Sequence, residues 1–255
     1  MDETADLRRR MDRLRWYNAI MGAVHAAQGA VILVLANGFS LPVSATYVTG
    51  GPPGANPPRL THLFDVRIAY GVAAFVFISA VAHWTIAMPG VFSWYERNLR
   101  RSRNYARWAE YALSASVMVV LIAMLTGITD IAALGAIFGV NAAMILFGLL
   151  MEHYEKPGKP GWLPYIFGCL TGLVPWIVIG IYLFGPGAPA HPPGFVYGIW
   201  ASLFVFFNSF AVNQLLQYKQ VGPWRDYLFG ESAYVGLSLV AKSLLAWQVF
   251  AATLM

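Results

Sequence analysis

One lysine stands in the middle of an apolar stretch, and an amine in that setting can do carbonyl chemistry. The stretch is the last of the chain and reads ESAYVGLSLVAKSLLAWQVFAATLM from Glu231 to Met255. A helix built on it places Lys242 about 16 Å along the axis, close to the midplane of a bilayer. An ammonium at that depth costs about 3 kcal/mol on insertion scales. Lysine loses its proton readily when desolvated, and a neutral amine is the form that condenses with a carbonyl ligand to a Schiff base. The alternative is a structural lysine that snorkels or pairs with a buried acid. A position near a helix end would favour that alternative, and Lys242 is at mid-helix.

The partner of such a lysine must be an acid at matching depth. Most of the 12 acidic residues fall in loops or at span ends. Glu110, in RWAEYALSASVM, is the one clearly inside a span. It is shallower than Lys242 by roughly 8 Å, a gap that two side chains can cover. The alternative for Glu110 is a carboxylate near the interface paired with Arg107, one turn earlier. Other polar residues fall at similar depth. Ser238 is one turn before Lys242 on the same face. His25 and Gln28 share a face of the first span, and Ser79 and His83 share one in the second. They form either a polar cluster around the acid or satisfied packing residues. No HxxxH or Cys/His spacing supports a metal site.

These residues require helices to hold them. Apolar runs predict seven spans: 16–36, 64–88, 105–126, 131–151, 162–184, 195–217 and a last one from 231. The fifth contains Pro175, a candidate kink. Between spans one and two, residues 37–62 form a long Gly- and Pro-rich loop (GGPPGANPP), with a hairpin expected around 43–48. Pro89-Gly90 stops the second span, and a basic connector with Arg97, Arg100, Arg101 and Arg103 follows. EHYEKPGKPG after span four and GPGAPAHPPG after span five read as Pro-broken connectors.

Charge sets the orientation. Of the 17 basic residues, Arg59 and Arg67 fall on one side, Lys242 falls within a span, and all the others fall on the opposite side. That asymmetry predicts a cytoplasmic N-terminus and an external C-terminus. The same placement explains the positive net charge, so no nucleic-acid partner is expected. The composition, 58 % hydrophobic and 11 % charged, excludes a soluble domain. The single cysteine, Cys169, excludes an intramolecular disulfide framework. The charged start, MDETADLRRRMDRLRW, has no cleavage site before the first apolar run, so no removed leader is expected. The predicted fold is therefore all-α, a seven-transmembrane bundle in the cell membrane. It forms one domain over 1–255, with a cytoplasmic segment at 1–15. Spans four to six add Asn141, Met144, Ile145, Pro175, Trp176, Phe204, Phe207, Asn208 and Gln214. By spacing alone these are either helix packing or a ligand lining.

Together these residues resemble the microbial rhodopsins. A lysine in the middle of the seventh span looks like their retinal attachment site. Arg107-Trp108-Ala109-Glu110-Tyr111 resembles the RYADW-type motif of the third helix, where the acid is the Schiff-base counterion. Four features depart from the ion pumps: the inverted topology, the long first external loop, the glutamate and the SxxxK pattern. All four resemble the heliorhodopsins. The resemblance implies all-trans retinal on Lys242 with Glu110 as counterion. It implies a polar cluster of His25, Gln28, Ser79, His83 and Ser238 on the cytoplasmic side, and a retinal pocket that takes the aromatic lining above with Ser114 and Met118. A homodimer is also implied.

Pumps place further acids four residues before the lysine and eleven after the counterion. Here those positions are Ser238 and Leu121. With one carboxylate left, a photoreceptor with a slow photocycle and no pumping is expected, read by a cytoplasmic protein partner. Its basic loops suit an acidic protein or anionic lipid. A light-gated channel or transporter, or a light-dependent regulator of an enzyme, is the alternative. No nucleophile–base pair suggests intrinsic catalysis.

Overall fold

The computed structural model describes residues 3–52, 54–185 and 192–253. The described residues form eight α-helices: α1 (Glu3–Val34), α2 (Ile68–Ala87), α3 (Pro89–Leu99), α4 (Tyr105–Leu125), α5 (Ile131–Tyr154), α6 (Leu163–Phe184), α7 (Gly194–Tyr218) and α8 (Tyr227–Thr253). All but α3 are long and apolar enough to cross a membrane. Lipid offers no partner to a backbone N–H or C=O, so the chain crosses as helices that satisfy their own backbones. The bundle runs α1–α2–α4–α5–α6 through neighbour contacts, and α8 packs against α1, α2 and α7. Its apolar centre includes Val72 and Phe75 of α2, Val119 and Ile122 of α4, Ile179 of α6, and Leu245 and Val249 of α8.

Caps fix the helices that carry the site. The Asn104 side chain accepts from the Arg107 N–H at the start of α4, and Asp130 accepts from the Ala132 and Ala133 N–H groups at the start of α5. Gly127, with φ of 97°, makes the tight turn between them.

Several boundaries differ from the sequence expectation. Helix α1 starts at Glu3, well before residue 16, because its charged first half is tied down. Arg10 pairs with Asp226, and Arg15 Nε donates to the Ala87 carbonyl at 2.8 Å. The basic connector after α2 is not irregular. Pro89 stops α2 yet opens α3, where its missing N–H is no loss. Phe92, Tyr95 and Leu99, spaced by three and four, turn inward against Met11 and Leu14, while Arg97, Arg100 and Arg101 stay exposed.

The expected hairpin is larger than residues 43–48. Strands β1 (Ser40–Tyr47) and β2 (Arg59–Arg67) pair antiparallel with a bulge at Val43/Ser44. Residues 64–67 therefore belong to the sheet, and α2 begins at Ile68 instead of 64. The hairpin rests on the α4–α5 turn, where the Ser44 N–H donates to the Thr129 carbonyl at 2.9 Å. Helix α5 runs on to Tyr154 and α8 starts at Tyr227, so Glu152 and Glu231 lie inside helices. The helix of span five continues through Pro175. Most of the connector expected after it, residues 186–191, lies outside the described residues.

Candidate functional site

Lys242 and Glu110 meet. The Lys242 Nζ donates to Glu110 Oε1 at 2.6 Å and to Ser238 Oγ at 3.0 Å. The same Oε1 accepts from Ser79 Oγ at 2.7 Å. Lys242 is 3 % exposed and Glu110 9 %. Water therefore stabilises neither charge, and the cost of burial is offset by the pairing and by the two hydroxyls. Three helices build this point: Ser238 and Lys242 sit one turn apart on α8, Glu110 comes from α4 and Ser79 from α2. The face of Tyr111 covers the amine at 5.0 Å.

Behind Glu110 lie the histidines. His25 of α1 stacks on His83 of α2, with ring centroids 5.7 Å apart and planes 10° from parallel. His83 Nδ1 shares a hydrogen bond with Asn18 Oδ1 at 2.7 Å. His25 has no solvent exposure, and neither of its ring nitrogens meets a protein partner among the described residues. Gln28 lies on α1 one turn beyond His25, with a buried, unpartnered Oε1.

On the other side of the amine a cavity of about 220 Å³ runs between α4, α5, α6, α7 and α8. Met118, Met144, Ile145, Trp176, Phe204, Phe207, Asn208, Gln214, Ser238 and Lys242 line it; Ser238, expected in the polar cluster, thus also faces the cavity. The Trp176 ring meets Phe204 and Phe207 edge-on at 5.5 and 5.4 Å. Other expected residues stand elsewhere. Asn141 turns away and donates to Ser116 Oγ at 3.0 Å. Pro175 is buried beside Trp176 but not on the lining, and Ser114 is buried on α4 between Glu110 and Met118. The sequence reading missed Trp108, Tyr111, Tyr165, Gly148, Gly172 and Phe210, all of which line the cavity. Trp108 and Tyr111 flank Glu110 in sequence, so the motif itself carried the clue.

A second charged group was also missed. Arg107 does not pair with Glu110, the alternative open at the sequence level; it pairs with both Glu152 and Glu231, and all three are buried. Each acid looked like a span-end residue. A clue was available: an arginine inside the third span needs acids, and Glu152 and Glu231 end and begin spans at the same face of the bundle. A small cavity of about 30 Å³, lined by His83, Tyr95, Arg107, Glu110, Tyr111 and Glu231, lies between the two charged groups. Among the described residues, no group of three or more His, Cys, Asp or Glu converges to hold a metal ion.

Comparison with known proteins gives the family and the fold. A family model described as Heliorhodopsin matches residues 14–254. Among solved structures, the chain is similar to the proton-pumping rhodopsin of the marine alga Acetabularia acetabulum, at 16 % identity and a TM-score of 0.63, covering 94 % of this chain and 93 % of that one. It is also similar to the light-driven proton pump of Coccomyxa subellipsoidea, at 19 % identity and a TM-score of 0.60, covering 95 % and 96 %. At those identities the likeness is one of fold. None of the curated proteins compared matches the chain.

Proposed function

The chain belongs to the heliorhodopsin family, and from that premise we propose that it is a light sensor that signals without pumping, with all-trans retinal on Lys242 and Glu110 as its counterion. Retinal is the chromophore of the family, and the chain is a retinal-binding, multi-pass membrane photoreceptor. The residues present fit that group. Retinal brings one aldehyde on a long apolar polyene; the cavity brings one amine in an apolar, aromatic slot. The observation that carries the reading is Lys242 Nζ in the wall of that slot, 2.6 Å from a buried carboxylate.

Joined to Nζ as a protonated Schiff base, retinal supplies the absorption of light and the isomerisation that follows. The chain's own residues do the rest. Glu110 Oε1 holds the proton at Nζ, since a buried cation keeps its proton only beside an anion. Ser79 and Ser238 orient the two partners, and the aromatic walls keep water from Nζ. A proton leaving Nζ has Glu110 as its first acceptor within hydrogen-bond reach, with His83 and His25 behind it. Toward the other end of the bundle, α8 buries Leu245, Ala246, Val249 and Phe250. Among the described residues the takers near Nζ thus lie on the Glu110 side, which supports a slow return to Nζ and a structural output instead of transport.

The reading includes no chemistry on a diffusing substrate. It takes the N-terminus as cytoplasmic, on the charge asymmetry, with a homodimer and a cytoplasmic protein partner at the basic face. Tags at the two ends, probed from outside intact cells, read the orientation directly: an accessible N-terminal tag contradicts it. The test of the site is reconstitution with all-trans retinal. The wild-type protein gains a visible absorption band, and Lys242→Ala, inserted at the same level, does not. A band that survives in Lys242→Ala overturns the assignment.

A further inference from the structure

Trp108 belongs to two sites at once. Its ring forms part of the wall of the retinal cavity. Its indole Nε1 donates to Glu152 Oε2 at 2.6 Å. Glu152 in turn accepts from the Asn104 backbone N–H at 2.9 Å and the Tyr227 hydroxyl at 3.1 Å, and it pairs with Arg107. Arg107 pairs with Glu231, which also accepts from Asn104 Nδ2 at 2.6 Å. The start of α4, the end of α5 and the start of α8 are therefore held together by one buried network. Charged groups without water depend on one another, so such a network has few intermediate states.

The indole has little slack. The Arg107 guanidinium lies over the Trp108 ring at 4.6 Å and over the Tyr234 ring at 3.9 Å. On the α5 side the ring sits against Gly148, where a Cβ would collide with it. A ring with a guanidinium over it and Gly148 against its benzo carbons has little room to absorb a push from the cavity by itself. It must pass the push to Glu152 or to Arg107.

We propose that Trp108 is a positioning residue that ties the retinal cavity to the Arg107–Glu152–Glu231 network, so that displacement of its indole loosens the ends of α4, α5 and α8. This rests on the reading of Lys242 as the retinal attachment site. It gives that site an output 44 residues along the chain from Trp108, at Glu152, through one hydrogen bond. Trp108 acts on the helix ends through Glu152 and takes no part in proton transfer.

The experiment is light-minus-dark infrared spectroscopy on the full-length protein in lipid, reconstituted with all-trans retinal and compared at equal amounts of photoconverted pigment. The wild type shows a carboxylate difference band that Glu152→Gln removes. Trp108→Phe keeps an aromatic ring but has no indole N–H, and the band is lost. Gly148→Ala, which crowds the same ring and deletes no polar group, shifts the band, and it decides the matter if Trp108→Phe does not fold. In the retinal-free protein, Trp108→Phe and Glu152→Gln lower the Tm non-additively, as partners in one bond do. A wild-type band that Glu152→Gln leaves in place, or one unchanged in both Trp108→Phe and Gly148→Ala, overturns the proposal while the pigment stands. A wild type with no visible band removes the retinal site and this coupling together.

Discussion

In the proposed site, the chemistry at Nζ turns on Glu110, the carboxylate it meets. A cation at mid-membrane depth is held by one carboxylate 2.6 Å away, and among the described residues no other acid lies within hydrogen-bond reach of it. Glu110→Gln keeps the shape and removes the charge. The visible band of that variant is therefore lost at lower pH than in wild type, with near-ultraviolet absorption in its place. Whatever fraction keeps its proton absorbs further to the red, because the anion that localises the positive charge is gone. Glu110→Asp keeps a visible pigment with a modest shift. His25→Ala and His83→Ala change the titration less, since a neutral imidazole does not replace a charge. A pH titration of the visible band in the four variants checks this. If Glu110→Gln titrates like wild type and a histidine variant does not, the counterion is misassigned. This pair was legible in the sequence because a lone acid and a lone base inside apolar runs are conspicuous. Glu152 and Glu231 were not, because an acid at the edge of a span looks the same whether it faces water or a buried arginine.

At the scale of elements, apolar runs located every crossing, because a span must bury about 20 residues whatever packs beside it. What it did not locate is structure that depends on neighbours. The stretch 89–99 carries only three inward apolar residues, and it is a helix because α1 extends far enough to receive them. Its register also matters to the site. Tyr95 lines the small cavity beside Arg107 and Glu110, so α3 closes that end of the bundle. Leu99 is 2 % exposed against Met11 and Leu14, and Leu99→Ala costs about 3 kcal/mol, within the range for a buried leucine. Trp94→Ala, on the exposed face of the same helix, costs much less. Thermal unfolding of the retinal-free protein in detergent checks the pair; equal Tm losses would mean that α3 is not seated as described. The hairpin shows the same dependence. Alternation at Phe64, Asp65, Val66 and Arg67 is a strand pattern, but the apolar run continues through it into α2, so the run alone extends the span back to residue 64.

The whole molecule is polarised along the membrane normal. At one end are the buried acids, the paired histidines and the arginine network; at the other, the α8 helix is packed in leucine, valine and phenylalanine. Directional transport needs groups that exchange protons on both sides of Nζ, switched by the light step. Here Ser238 stands one turn before the lysine, on the side of Glu110, and Leu121, buried at 2 % exposure, stands deeper along α4. Neither can carry a proton through a cycle at neutral pH. The fold is shared with two proton-pumping rhodopsins, so the scaffold does not forbid pumping; the side chains along the path decide. Vesicles or cells containing the pigment should therefore show no sustained pH change under steady light, with or without a protonophore. A brief, reversible proton signal in step with the photocycle is compatible with a proton moving between Nζ and Glu110. A steady current that scales with light intensity and collapses with protonophore is not, and it would mean that a path exists through the apolar end of α8.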